Sequence, residues 1–147
     1  MLDFQFLGTS AGIPTKNRNV TALAIGQTAS KPWLLVDCGE ATQQQILQTP
    51  WSANTLSAIC ITHVHGDHCY GLPGMLASAG LNKRTQPLTL IAPLPLWQWL
   101  QHTIALTDLY LSFELQFVDV TTLITQSHAV DGFEISAVAL NHRVPSY

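Results

Sequence analysis

Residues 62–68 read THVHGDH and follow directly on the apolar run LSAICI. His63, His65, Asp67 and His68 place three imidazoles and a carboxylate within six positions of a chain that is only 10% charged. Imidazole nitrogen and carboxylate oxygen are donors that zinc, iron and manganese accept, and no soft thiolate stands among them. Side chains two apart in an extended segment point the same way, so His63 and His65 can reach one ion together from a strand end. Gly66 lets the backbone turn sharply and swing Asp67 and His68 toward a second point. Two ions roughly 3.5–4 Å apart can activate a water between them and clamp the oxygens of a phosphoryl or acyl group. The bland alternative is a hydrogen-bonded polar turn, which suits one lone histidine better than this density of ligands.

The elements that must position these residues follow from periodicity. LSAICIT reads as a buried strand whose C-terminal end delivers the histidines. LDFQFLG alternates as a strand does, and VTALAIG and WLLVD complete an antiparallel meander with it. TSAGIPTKNRN is a loop rich in Gly, Pro, Asn and Thr. CGEATQQQILQT predicts a short helix, with Gly39 at its entrance and Pro50 after its end. YGLPGMLASAGL predicts a second helix, with Pro73 in its first turn. LTLIAP is a further strand, and Leu96, Trp97, Leu100 and Ile104 give LPLWQWLQHTIAL helical spacing. FELQFVDV, TLITQ and FEISAVALNH are expected to be strands. With no internal repeat or boundary, the pattern is α/β with a mixed sheet in a single domain, residues 1–147.

Composition narrows the function classes. The 147 residues are 47% hydrophobic and hold no low-complexity tract, enough for a buried core. MLDFQFLGTS has an acid at position 3 and no basic n-region, so it does not read as a secretory signal. The greasiest stretch, LTLIAPLPLWQWL, contains two prolines and falls short of the ~20 residues of a membrane span. Cys38, Cys60 and Cys69 are odd in number and lack CxxC spacing, which fits free thiols and a cytoplasmic location. A net charge of −3 argues against a generally basic nucleic-acid surface. It leaves an acidic substrate open, because Lys16 and Arg18 share the loop PTKNRN and two bound divalent ions would add about four positive charges.

THVHGDH resembles the signature of metallo-β-lactamase-fold hydrolases. FLGTSAGIPTKNRNVTALAI, LLVDCGEATQQQ, HGDHCYGLPGML and LNHRVPSY are similar, in order and over nearly the whole chain, to successive blocks of the ribonuclease Z family of tRNA 3′-processing endonucleases. The resemblance implies an αββα sandwich, two mixed sheets face to face with helices outside. It implies that His63, His65 and His142 hold one metal, Asp67 and His68 the other, with Zn2+ expected and Mn2+ or Fe2+ as alternatives. It gives Asp67 the proton of the attacking water and makes Asp37 a brace for the histidine loop. An ordinary carboxylate capping GEATQ is the other reading of Asp37. Lys16, Arg18 and Asn19 match a loop that contacts RNA phosphates, against the alternative of a solvated surface. Arg143 could face phosphate or pair with an acid.

The resemblance also implies a tRNA precursor as substrate, no membrane partner, and a homodimer in the complete enzyme. A bridging aspartate and a final histidine come, in the family, from a second half that follows HRVPSY. The chain is therefore expected to be the N-terminal half, truncated at its C-terminal end, with one apolar sheet face open to water. Rival readings keep the fold but hydrolyse a thioester, a lactone or a small phosphodiester, or make the chain a catalytically incomplete metal-binding fragment. His102 and His128 match no motif and read as structural, and the four tryptophans as core or boundary aromatics.

Overall fold

The computed structural model describes residues 1–147. Its first strands, β1 (Leu2–Gly8), β2 (Ala22–Gln27) and β3 (Trp33–Val36), form the expected antiparallel meander. After the short helix α1 (Thr42–Ile46), the chain enters β4 (Leu56–Cys60), which runs parallel to β3. Helices α2 (Gly66–Cys69) and α3 (Leu72–Leu81) lead to β5 (Leu88–Ala92), and α4 (Leu94–Leu106) leads to β6 (Leu115–Asp119). Both added strands pair parallel, giving one six-stranded mixed sheet in the order β1-β2-β3-β4-β5-β6. No helix is long and apolar enough to cross a membrane.

Helices pack on one face of this sheet. Leu35, Ile59, Leu90, Leu72, Met75, Leu76, Leu96 and Leu100 join in a core of 21 buried residues, where burial of each large side chain contributes about 1.5–3 kcal/mol. Pro73 sits in the first turn of α3, where a missing N–H costs nothing. The parallel strands β4 and β5 are buried along nearly their whole length, as strands covered on both faces must be.

The second face is covered only in part. A hairpin of β7 (His128–Val130) and β8 (Phe133–Ile135) lays Phe133 against Leu34 and Ala58. Its turn is Asp131–Gly132, both at positive φ, the conformation a two-residue hairpin loop requires. This hairpin stands where a second sheet of the sandwich belongs. A trough of about 510 Å³ remains beside it, lined by Leu2, Phe4, Ile25, Val36, Val138 and Leu140 among others. Phe4 and Phe6 are 60% and 70% exposed on the open edge.

Two expected strands are different. TLITQ begins inside a 3-10 turn, Val120–Ile124, because Asp119 Oδ1 accepts from both the amide and the hydroxyl of Thr121. Such side-chain capping gives the backbone an alternative to pairing. FEISAVALNH is a strand only over Phe133–Ile135, beyond which Ala137 N donates to Leu123 C=O instead of to a neighbouring strand.

Candidate metal centre

Three chain segments meet at the C-terminal ends of β3 and β4. β4 ends at Cys60 and hands Thr62 and His63 to the sheet edge, after which His65 caps the single turn α2. The loop after β3 packs directly beneath: Cys38 N donates to His68 C=O, and Gly71 N donates to Cys38 C=O. The approach is so close that a Cβ on Gly39 would lie 2.3 Å from the Asp67 carbonyl oxygen. Glycine is the residue that fits there. The C-terminal segment closes the third side, as Tyr147 N donates to Thr62 C=O and Ser146 bridges to His63.

This convergence gathers the imidazoles. The ring centroid of His63 lies 4.0 Å from that of His68, 4.7 Å from that of His65 and 4.8 Å from that of His142. Ligand nitrogens of His63, His65 and His142 all lie within 4.8 Å of one another. Tetrahedral ligands at zinc distances stand roughly 3.3 Å apart, so the set fits one ion after a small inward movement. His142 is the ring free to make it, being exposed in the loop before the C-terminus. Its Nδ1 at present accepts from the Arg143 amide at 2.7 Å. Beside this set, His68 Nε2 lies 3.5 Å from Asp67 Oδ2, a separation suited to a second shared ion.

Asp37 organises the floor. It is 3% exposed and sits at φ 59°, a left-handed conformation uncommon outside glycine. Its Oδ1 accepts from the amide and hydroxyl of Thr62, and His68 Nδ1 donates to its Oδ2 at 2.7 Å. Helix α1 begins at Ala41 without any side-chain cap, so the Asp37 carboxylate contacts the histidine loop and not GEATQ. Burial by itself would lower the affinity of His68 for a proton, but the hydrogen bond and charge of Asp37, with Asp67, raise it overall. At His63 burial wins, and the neighbouring His68 adds to a lowered pKa, which favours the neutral ring that metals bind. Burial pushes the Cys69 thiol up to about 12, which removes it as a thiolate donor.

Asp67 is reached from the PTKNRN side. Gly12, at φ 75°, donates its N–H to Asp67 Oδ2 at 2.8 Å, tying the loop to the site. Thr9 N and Ser10 N both donate to Asn19 C=O, while the Asn19 side chain donates to Glu40 C=O. Thr15 Oγ1 accepts from Asn17 N and Arg18 N, which tightens the tip. Lys16 and Arg18 are exposed there and line a polar hollow of about 250 Å³ with Gln45. Arg143 is exposed and makes no ion pair. His102 Nδ1 donates to Gln98 C=O within α4 and takes no part in the site. Thr62 and Gly12 carry contacts that spacing alone did not single out; a hydroxyl flanking a ligand histidine is the one local signal for Thr62.

A family model described as Anti-Pycsar protein Apyc1 matches residues 2–147. Ribonuclease Z of Pseudomonas putida (strain GB-1) is 52% identical over 145 residues, which are 99% of this chain and 45% of that protein. The crystal structure of human tRNase Z, short form, superposes with a TM-score of 0.82 at 29% identity, covering 99% of this chain and 61% of that one. The metallo-β-lactamase fold protein YhfI of Bacillus subtilis gives 0.75 at 20% identity, over 99% and 56% of the two chains. The chain thus has the metallo-β-lactamase fold over about half the length of the proteins it matches.

Proposed function

The chain belongs to the family described as Anti-Pycsar protein Apyc1, and from that premise we propose that it carries the metal-binding half of a phosphodiesterase of ribonuclease Z type, an endoribonuclease cutting tRNA precursors on their 3′ side. The observation that carries this reading is the pairing of two ligand sets, His63–His65–His142 and Asp67–His68, braced by one buried carboxylate and joined through Gly12 to a loop bearing Lys16 and Arg18. Likeness to ribonuclease Z of Pseudomonas putida supports the substrate class.

Zinc is the ion the donor set suits, with manganese or iron also accepted by imidazole and carboxylate. Bound there, a divalent ion supplies an acidified water and polarises a phosphoryl oxygen. The residues of the chain do the rest. Asp37 fixes the His68 ring, Asp67 would accept the proton of the attacking water, and Gly12 holds the Asp67 carboxylate in place. Lys16 and Arg18 meet RNA phosphates from the exposed loop tip, while Asn19 fixes the shape of that loop. We further place the complete enzyme in the cytoplasm as a homodimer, a compartment its free cysteines suit.

The second point has two ligands, and no bridging carboxylate stands near it among these residues. Taken alone, the 147 residues read as one domain that binds metal without turnover. Replacing the matching segment of the Pseudomonas putida protein by this chain tests the proposal. The chimera should remove the 3′ trailer of a tRNA precursor. A chimera that binds zinc and cleaves a small phosphodiester but leaves the precursor intact would contradict the RNA reading.

A further inference from the structure

The hydroxyl of Thr62 stands between a carboxylate and an imidazole. Its Oγ1 lies 3.0 Å and 3.1 Å from the two oxygens of Asp37 and 2.9 Å from His63 Nδ1. A hydroxyl owns one proton, and an ionised carboxylate offers acceptors only. The Thr62 proton therefore goes to Asp37, leaving lone pairs on Oγ1 facing the ring. Those can be met only by a protonated Nδ1, and a neutral imidazole with Nδ1–H carries its free lone pair on Nε2.

We infer that Thr62 is a positioning residue that selects the Nδ1–H tautomer of His63 and so turns the Nε2 lone pair toward the metal. The inference rests on the reading of His63 as a ligand. Asp37 would then set two histidines alike, His68 by a direct hydrogen bond and His63 through the intervening hydroxyl. The arrangement is rigid, because Thr62 N also donates to Asp37 Oδ1 and Thr62 C=O accepts from Tyr147 N. His65 has no partner of this kind, so the device belongs to one ligand of the set. Outer hydrogen bonds of metal-binding histidines typically change affinity by about 10–100-fold.

The test uses the whole chain with Thr62→Val, which keeps the volume and removes the hydroxyl, and Thr62→Ser, which keeps the hydroxyl. Long-range 15N–1H spectra of the metal-free protein at mildly alkaline pH read the His63 tautomer directly. Zinc affinity is measured in parallel by competition with a chelator. Wild type and Thr62→Ser should show Nδ1–H at His63, whereas Thr62→Val should gain the Nε2–H form and lose about 10–100-fold in zinc affinity. An Nε2–H tautomer in the wild type contradicts the inference even if Thr62→Val does not fold. An unchanged tautomer or affinity in a folded Thr62→Val also overturns it. Absence of zinc binding in a wild type that holds Nδ1–H would instead bring down the metal reading on which the inference stands.

Discussion

Asp67 is gripped from two sides, by the Gly12 amide at 2.8 Å and toward His68 Nε2 at 3.5 Å, so it meets both the loop and the proposed second ion. On the proposed reading, its replacement by alanine removes a ligand and a proton acceptor together. In the chimera described above, Asp67→Ala should lower the cleavage rate by at least ~10²-fold and leave RNA binding nearly unchanged. Near-normal turnover would show that another group takes the proton. Asp37 makes a different prediction. It accepts from Thr62 N, Thr62 Oγ1 and His68 Nδ1 while almost fully buried. Asp37→Ala strands these donors at about 1–3 kcal/mol for each left unsatisfied. Chemical denaturation should therefore find a loss of at least ~2 kcal/mol, together with weaker zinc binding. A variant as stable as wild type would mean that water replaces the carboxylate. The histidine cluster was legible in the sequence because four candidate ligands fall within one strand end and one turn. Of their partners, Asp37 was reached only through the family resemblance, and Thr62 and Gly12 not at all. Asp37 lies 25 positions before Thr62, and Gly12 lies 55 before Asp67, so only folding brings each pair together. The hydrogen bond from Arg143 N to His142 Nδ1 was equally hidden, since it depends on a turn that no periodicity marks.

Regular elements followed their patterns where one face had to be buried. Helix α4 occupies Leu94–Leu106, the residues its apolar spacing outlined, and the parallel strands β4 and β5 are the buried apolar runs. Legibility failed where short side chains bind their own backbone. Asp119 and the threonines after it turn TLITQ away from pairing, and the DG dipeptide at 131–132, between the two segments read as strands, closes a hairpin that the reading did not include. The loop at 9–20 belongs to this class too. Its Gly, Pro, Asn and Thr content signals a loop, but its shape comes from Asn19 and Thr15 bonding across it. That shape holds Lys16 and Arg18 out in water. Each phosphate they meet releases a counterion and adds to the salt dependence of binding. Changing both to alanine in the chimera should weaken tRNA-precursor affinity and flatten its log–log salt slope by about one to two. Hydrolysis of a small phosphodiester should hardly change. Joint loss of both activities would make the loop a structural support of Asp67, through the Gly12 bond, and not an RNA contact.

At the scale of the whole molecule, one sheet with its helices is built in full, and the second sheet is represented by a three-residue hairpin pair. Leu2, Phe4 and Phe6 consequently face solvent on the outer strand, an apolar stripe of the kind that drives association. Sedimentation of these 147 residues should find self-association that falls when Phe4 and Phe6 are both changed to serine, with zinc binding retained. A monomer before substitution would mean that the hairpin shields the face well enough. The resemblance read from the sequence anticipated this half-covered sandwich, while composition alone did not, because a 47% hydrophobic chain fits a fully buried core equally well. Chemistry at this scale comes down to ligand number. Three imidazoles converge on one point and two donors on the next, so a single tight ion is what the fold supports by itself. Elemental analysis of the dialysed chain after loading with zinc measures this directly. About one zinc per chain, lost on His65→Ala, is the expected result. No retained zinc, or two ions held tightly by each chain, would contradict the metal centre described here.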